Sequence, residues 1–393
     1  MVEVWLSIIG IGEDRASALP PASRAALADA THVFGAPRHL RLAGVEDDPR
    51  AHVWPVPFSV EPLLALRGGK VAMLVSGDPF WFGGGTSIVR HLTPGEWIAF
   101  PAPSTFGWAA ARLGWALEEM PCLGLHAAPF ERLVPVMGDG LRAICLLRDG
   151  AAAGALMAWL SAKGFGASTC HILEALGGEG ERHRTMQAQD TPGDVRAPVA
   201  MGIAFCGPPA LPRANGLADD LFTHDGQITK RPMRALALSA LAPRMGEMLW
   251  DLGAGSGSIS VEWCLAGGRA VAVERKGERA ANIARNAAGF GLSHRLSVVE
   301  GDHRDLPDLP PPQAVFVGGG ADAGLIEKLW AMLSPGVRVV IHAVTLETEA
   351  LLLDAHARLG GDLLRIELAQ VAPLGRMRGW TPARPVVQWS VVR

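Results

Sequence analysis

The feature that most constrains this chain is Leu249-Trp250-Asp251-Leu252-Gly253-Ala254-Gly255-Ser256-Gly257-Ser258. A short apolar run ends in an acid and gives way to a turn with glycine at every second position. A helical pattern follows from Ile259 to Cys264. Glycine between a buried strand and a helix lets a ligand touch the backbone, and the helix start offers unpaired N–H groups. The spacing separates two ligand classes. A nicotinamide-dinucleotide turn has the form G-x-G-x-x-G and would need glycine at 258, where this chain has Ser258. Further on, Ala270-Val271-Ala272-Val273-Glu274 closes a second strand on an acid, as a ribose diol would require. The bland alternative, a tight turn that binds nothing, is weakened by this pairing of two signals.

A chain of 393 residues has room for two or three domains, each with its own core. Charged residues make up 19% and hydrophobic ones 49%, which excludes extensive disorder. A net charge of −3 provides no general attraction to nucleic acid or to an anionic membrane. Cys122, Cys145, Cys170, Cys206 and Cys264 are scattered, with no C-x-x-C pair and no histidine cluster. That argues against a disulfide framework or a metal site and for a reducing compartment. The first residues lack a basic region, and no apolar stretch reaches the length of a membrane span. A cytoplasmic protein without nucleic-acid or membrane partners is expected.

Pro208, Pro209, Pro212, Gly207, Gly216 and Gly226 crowd one short segment and disfavour both helix and strand. A linker is therefore placed at 207–227, between domains at 1–206 and 228–393. Downstream, strand candidates at 247–252, 269–274, 295–300, 313–317, 338–342, 363–371 and 386–392 alternate in their first part with helical patterns at 275–289 and 324–333. Such alternation predicts an α/β domain with a seven-stranded, mostly parallel sheet covered on both faces. Upstream, strands at 4–9, 71–75 and 97–100 run into Gly10-Ile11-Gly12, Gly77-Asp78-Pro79-Phe80-Trp81-Phe82-Gly83 and Pro103-Ser104-Thr105. Later strands at 143–147 and 199–205 suggest a second α/β subdomain. Trp81, Trp108 and Trp263 read as core or pocket wall, and His171 and His342 as satisfied core histidines.

The early G-x-G turn, the GDP loop with its aromatic residues and the Pro-Ser-Thr loop, in that order, resemble class III tetrapyrrole methylases. The 253–257 turn resembles motif I of class I S-adenosylmethionine-dependent methyltransferases. Together with Ile228-Thr229-Lys230, Arg234, Glu274, Gly301-Asp302 and Phe316-Val317-Gly318-Gly319, it resembles the class I enzymes of cobalamin biosynthesis. The fusion of the two is similar to the decarboxylating precorrin-6Y C(5,15)-methyltransferase family. That resemblance implies S-adenosyl-L-methionine as cofactor in both halves and a tetrapyrrole substrate. It also implies methylation at carbon 5 by the N-terminal half, then methylation at carbon 15 and loss of the carbon-12 acetate carboxylate by the C-terminal half. A homo-oligomer is expected on the same ground.

The cofactor sites are accordingly expected at Gly77, Asp78, Ser104 and Thr105 in the first half. In the second they are expected at Thr229, Gly253, Ala254, Gly255, Ser256, Gly257, Glu274, Asp302 and His303. Asp302 also reads as a strand-end Asx turn, His303 as a solvated loop, and Asp78 as a loop-shaping residue before Pro79. A substrate with many carboxylates needs cations, for which Arg376 and Arg378 in a glycine-bounded loop and Arg234 near the cofactor turn are candidates. The competing reading of Arg376 and Arg378 is a solvated basic loop. No catalytic residue is assignable from sequence. Two other functions stay open here: a methyltransferase for a different acceptor, or a non-catalytic carrier that retains two ligand pockets.

Overall fold

The computed structural model describes residues 3–302, 304 and 308–393. The chain forms two compact units. The first ends at Ala210, and the second runs from Leu211 to Arg393 and includes the short segment Glu131–Pro135.

The first unit contains two five-stranded sheets. Strands β1 (Leu6–Ile11), β2 (His32–Gly35), β3 (Ala51–Val53), β4 (Val71–Ser76) and β5 (Trp97–Phe100) are all parallel, in the order β3-β2-β4-β1-β5. β1 and β4 lie inside the sheet and are buried almost throughout, which is why they read as unbroken apolar runs. The second sheet joins β6 (Cys122–Gly124), β7 (Arg142–Leu147), β8 (Thr169–Glu174), β9 (Arg182–Gln187) and β10 (Val199–Ala204) in the order β6-β7-β10-β8-β9. Its edge strand β9 alternates half-buried and exposed positions, the period of a strand covered on one side only.

Backbone meets backbone where β1, β4 and β5 end. Gly77 has φ 55° and donates its N–H to Ile11 O at 3.0 Å, while Ala102 N–H donates to Gly77 O at 3.2 Å. A Cβ on Gly10 would stand 1.9 Å from Gly77 O. Next to this contact, Ser104 caps the helix Thr105–Leu113 by accepting the Gly107 N–H at 3.0 Å.

The second unit contains β11 (Met248–Leu252), β12 (Arg269–Glu274), β13 (Leu296–Glu300), β14 (Ala314–Val317), β15 (Arg338–Ala343), β16 (Asp362–Ile366), β17 (Ala369–Leu374), β18 (Met377–Pro382) and β19 (Val386–Val392). Seven of these form one sheet in the order β13-β12-β11-β14-β15-β19-β16, with β19 antiparallel to both neighbours. The expected seven-stranded α/β sheet is present. The strand order reverses between β11 and β14, which opens a crevice at their C-terminal ends.

Two expectations need correction. The strand expected at 363–371 is two strands. β16 pairs with β19 only as far as Val386, because Pro385 has no N–H to extend the ladder. The chain beyond Ile366 then pairs with its own return as the β17–β18 ribbon. Nor is 207–227 a bare linker. From Leu211 it belongs to the second unit, where Leu217 and Phe222 are buried in the core and Phe222 packs on Phe290 with ring centres 5.2 Å apart.

Gly10→Ala forces a side chain into the Gly77 carbonyl. It is expected to destabilise the first unit by about 3 kcal/mol, the upper range for overpacking. Urea unfolding followed by a probe in that unit checks this, and an unchanged midpoint would contradict the contact.

Candidate active site

In the second unit a cleft of about 830 Å³ opens over the ends of β11, β12, β14 and β15. Gly253, Gly255 and Gly257 form the turn after β11, with φ values of 70°, 60° and 70° that only glycine adopts easily. Gly255 N–H donates to Glu274 Oε2 at 2.9 Å and Lys276 N–H to Glu274 Oε1 at 3.0 Å. Two backbone donors thus fix the carboxylate at the cleft, and each oxygen keeps a lone pair for a further donor. Beneath the turn, Asp251 is buried and accepts from Ser260 Oγ at 2.6 Å; burial pushes its pKa up to about 6.

Of the expected residues, Thr229, Gly253, Ala254, Gly255, Glu274 and Asp302 line this cleft together. Ser256 and Gly257 do not, because the turn carries them under its floor. Ser256 is buried with no hydrogen-bond partner for its Oγ among the described residues, and a Cβ on Gly257 would lie 2.7 Å from Ile283 Cγ2. Asp302 lines the cleft and also makes the Asx turn, accepting Arg304 N–H at 3.0 Å. His303 lies outside the described residues.

Arg234 is not a substrate cation. Its side chain is fully buried, 2.5 Å from Glu262 Oε1 and 3.1 Å from Asp219 Oδ1, and stacks 4.8 Å from the Phe222 ring. It also donates to Leu217 O and to Thr229 O, the latter at 2.5 Å. Glu262 in turn accepts the Gly216 and Leu217 N–H groups at 2.6 and 2.9 Å. A guanidinium shared among so many acceptors holds the 216–230 segment, and so the Thr229 wall, in place.

Arg376 and Arg378 are likewise corrected. Arg376 sits in the β17–β18 turn and Arg378 on β18, both exposed, and neither lines the cleft. Arg384 does line it, and it has no acidic partner among the described residues. The return strand brings it back to the cleft after the ribbon has carried the other two arginines away.

In the first unit a cavity of about 230 Å³ lies between the two sheets. Gly12, Gly77, Pro103 and Thr105 form one side, and Leu146, Leu173, Val199 and Ala200 of the second sheet form the other. Gly77 and Thr105, of the residues expected in this half, are in its lining. Asp78 and Ser104 are outside the lining. The Asp78 carboxylate accepts its own loop's Phe80 N–H at 2.8 Å, and Ser104 is spent as the helix cap. Arg38, which donates to Glu13 Oε1 through Nε at 2.7 Å, adds the charge that sequence reasoning missed.

Comparison with known proteins finds two family matches on this chain. Residues 6–191 match the tetrapyrrole (corrin/porphyrin) methylases, and residues 220–393 match the precorrin methyltransferase domain. A precorrin-6Y C(5,15)-methyltransferase (decarboxylating) from Sinorhizobium sp is 46% identical over 99% of this chain and 97% of that relative. The chain belongs to this family. A second member, from Mycobacterium tuberculosis (strain CDC 1551 / Oshkosh), is 39% identical over 98% of this chain and 99% of its own length. The crystal structure of the C-terminal domain of precorrin-6Y C5,15-methyltransferase from Rhodobacter capsulatus is 56% identical over 47% of this chain and all of its own, with a TM-score of 0.46.

For this decarboxylating methyltransferase chain, the sequence also undervalued Gly318, Gly319 and His342, which line the second cleft. Their signal was position: Gly318 and Gly319 follow β14, the neighbour of β11 at the reversal of strand order. Replacing Arg234 by alanine leaves Glu262 buried without its cation. A loss of about 3–5 kcal/mol from the second unit is expected, read by urea unfolding. Unchanged stability would restore Arg234 as a candidate for the substrate.

Proposed function

We propose that this chain uses S-adenosyl-L-methionine in both units to convert precorrin-6Y in cobalamin biosynthesis. The first unit methylates carbon 5. The second methylates carbon 15 and releases the carbon-12 acetate carboxylate as carbon dioxide. The observation that carries the reading is full-length similarity to the Sinorhizobium relative, combined with a separate glycine-walled cavity in each of the two units.

The second cleft fits the cofactor in its own right. Left-handed glycines allow close backbone approach, and Glu274 presents two fixed oxygens to a diol. We take Thr229, Gly253, Ala254, Gly255, Glu274 and Asp302 as its contacts there, and Gly77 and Thr105 in the first unit. When bound, the cofactor supplies a methyl group on a positively charged sulfur. The chain's share of the work is alignment: it holds donor and ring carbon in line and excludes water. Arg384 receives a substrate carboxylate in place of Arg376 and Arg378.

No helix among the described residues is long and apolar enough to cross a membrane, and all five cysteines are free. Both fit work in the reducing cytoplasm. We also place this chain in a homo-oligomer. The β17–β18 ribbon exposes Val371, Leu374, Met377 and Trp380, the last two by more than 70%, an apolar surface that a partner would cover.

Equilibrium dialysis is expected to find two donor sites per chain. Mass spectrometry of precorrin-6Y turnover is expected to show two methyl groups gained and one carbon dioxide lost, and a single site or a retained carboxylate would overturn the reading. Arg384→Ala should raise the substrate KM roughly tenfold, as loss of one charge-assisted contact does. Light scattering that gives a monomer of 41.4 kDa would remove the oligomer.

A further inference from the structure

The proposed reaction of the second unit leaves its proton unassigned. Putting a methyl cation on a ring carbon in place of hydrogen releases one proton. Putting hydrogen in place of a carboxylate on the side-chain methylene consumes one. The two steps cancel, so a single group that accepts the first proton and returns it at the second suffices.

The groups that wall the second cleft differ in what they can do with a proton. Arginine and lysine hold theirs too tightly near neutral pH. Each oxygen of Glu274 holds one backbone donor, and its remaining capacity is assigned above to the cofactor diol; Asp302 is paired with Arg304 at 2.5 Å. His342 is different. It stands near the end of β15, lines the cleft, and lies directly across from Gln388 on β19. Its Nε2 is 3.0 Å from Gln388 Oε1, and its ring packs edge-on to Phe316 at 5.1 Å. An amide oxygen can only accept, so Nε2 carries the hydrogen and Nδ1 keeps its lone pair. No hydrogen bond within the described residues engages Nδ1.

We propose that His342 is the proton relay of the second unit, taking the hydrogen of carbon 15 on Nδ1 and delivering it to the carbon-12 methylene, with Gln388 as the positioning residue. The inference rests on the function proposed above. In the first step the ring π electrons form the new carbon–carbon bond as the sulfonium carbon–sulfur bond breaks. His342 then removes the proton, and that C–H pair returns to the ring. In the second step the bond to the carboxylate breaks, carbon dioxide leaves, and its electron pair enters the conjugated ring. The imidazolium protonates the methylene, which becomes methyl. No outside acid, base or oxidant is needed.

The surroundings suit a base that starts neutral. β14 faces the imidazole with Phe316 and β19 with the Gln388 amide. Arg234, on the helix Arg231–Leu241 packed against β15, is paired with Glu262 and Asp219. Burial lowers the pKa of His342 below its usual 6.5, and the Gln388 bond opposes that shift. A resting neutral imidazole accepts before it donates, so methylation precedes decarboxylation.

The test uses the full chain with precorrin-6Y and S-adenosylmethionine. His342→Asn should keep cofactor affinity within about threefold and the wild-type melting temperature, while carbon dioxide release slows ~100-fold or more, the usual worth of a positioned acid–base group. Carbon dioxide release within threefold of wild type would overturn the relay. If wild type itself releases none, the functional reading fails instead. Should the variant not fold, Gln388→Glu keeps the proposal exposed. A carboxylate on Nε2 raises the imidazole pKa, so the acid limb of kcat, where the base is lost by protonation, must move to higher pH. An unmoved limb overturns the relay. Independently of turnover, ¹⁵N NMR of the free protein should show hydrogen on Nε2 of His342 and none on Nδ1 at neutral pH; the opposite tautomer would overturn it.

Discussion

The arrangement of the second cleft depends on one buried carboxylate. Glu262 lies on the helix that leaves the glycine turn, almost sealed from solvent, and gathers Arg234 and the N–H groups of Gly216 and Leu217. A buried charge is tolerated only when its donors are this complete. The consequence reaches the cleft. A segment rich in proline and glycine, with only the short 3-10 turn Asp219–Leu221 of its own, is tied to the helices Ser258–Leu265 and Arg231–Leu241, and its continuation brings Gln227 to Lys230 up as a cleft wall. Arg234 therefore acts on the site from behind, through the Thr229 carbonyl, and not through the ligand.

The first unit reaches a comparable end by steric means. Gly10, Gly77 and Ala102 bring three loops into backbone contact at the ends of adjacent parallel strands. Side chains there would hold the loops apart and close the space between the two sheets. Both units thus place their cavities at the C-terminal ends of parallel strands, where unpaired backbone groups face a ligand. The first does so with glycine contacts, the second with a glycine turn backed by a charge network.

In the second unit the cationic groups are mostly spoken for. Lys230, Arg275, Arg279 and Arg304 each have an acid within 4 Å, which leaves Arg384 as the lining cation with none among the described residues. A cleft with so few unpaired cations discriminates by geometry more than by bulk charge, in keeping with a chain whose net charge is −3.

What the sequence determined by itself was everything carried by local pattern. The parallel strands β11, β12 and β15 were legible because burial on both faces makes them continuous apolar runs, and the 253–257 turn because its φ values admit little but glycine. Glu274 followed as the acid closing the next strand. The family resemblance was legible for the same reason, since its motifs are short and contiguous. Tertiary structure decided what depends on partners distant in the chain. Arg234 looked like a ligand cation until Glu262, Asp219 and Phe222 closed around it. The strand at 363–371 looked whole until its partner β19 ended at a proline. Arg376 and Arg378 looked like a clamp until the ribbon carried them off and returned Arg384. His342 reads as core in a one-dimensional pattern, and only its register against Gln388 shows which nitrogen is left over. A residue's type sets what it is able to bind, but whether its charge or lone pair is already satisfied is settled by contacts that no local pattern records.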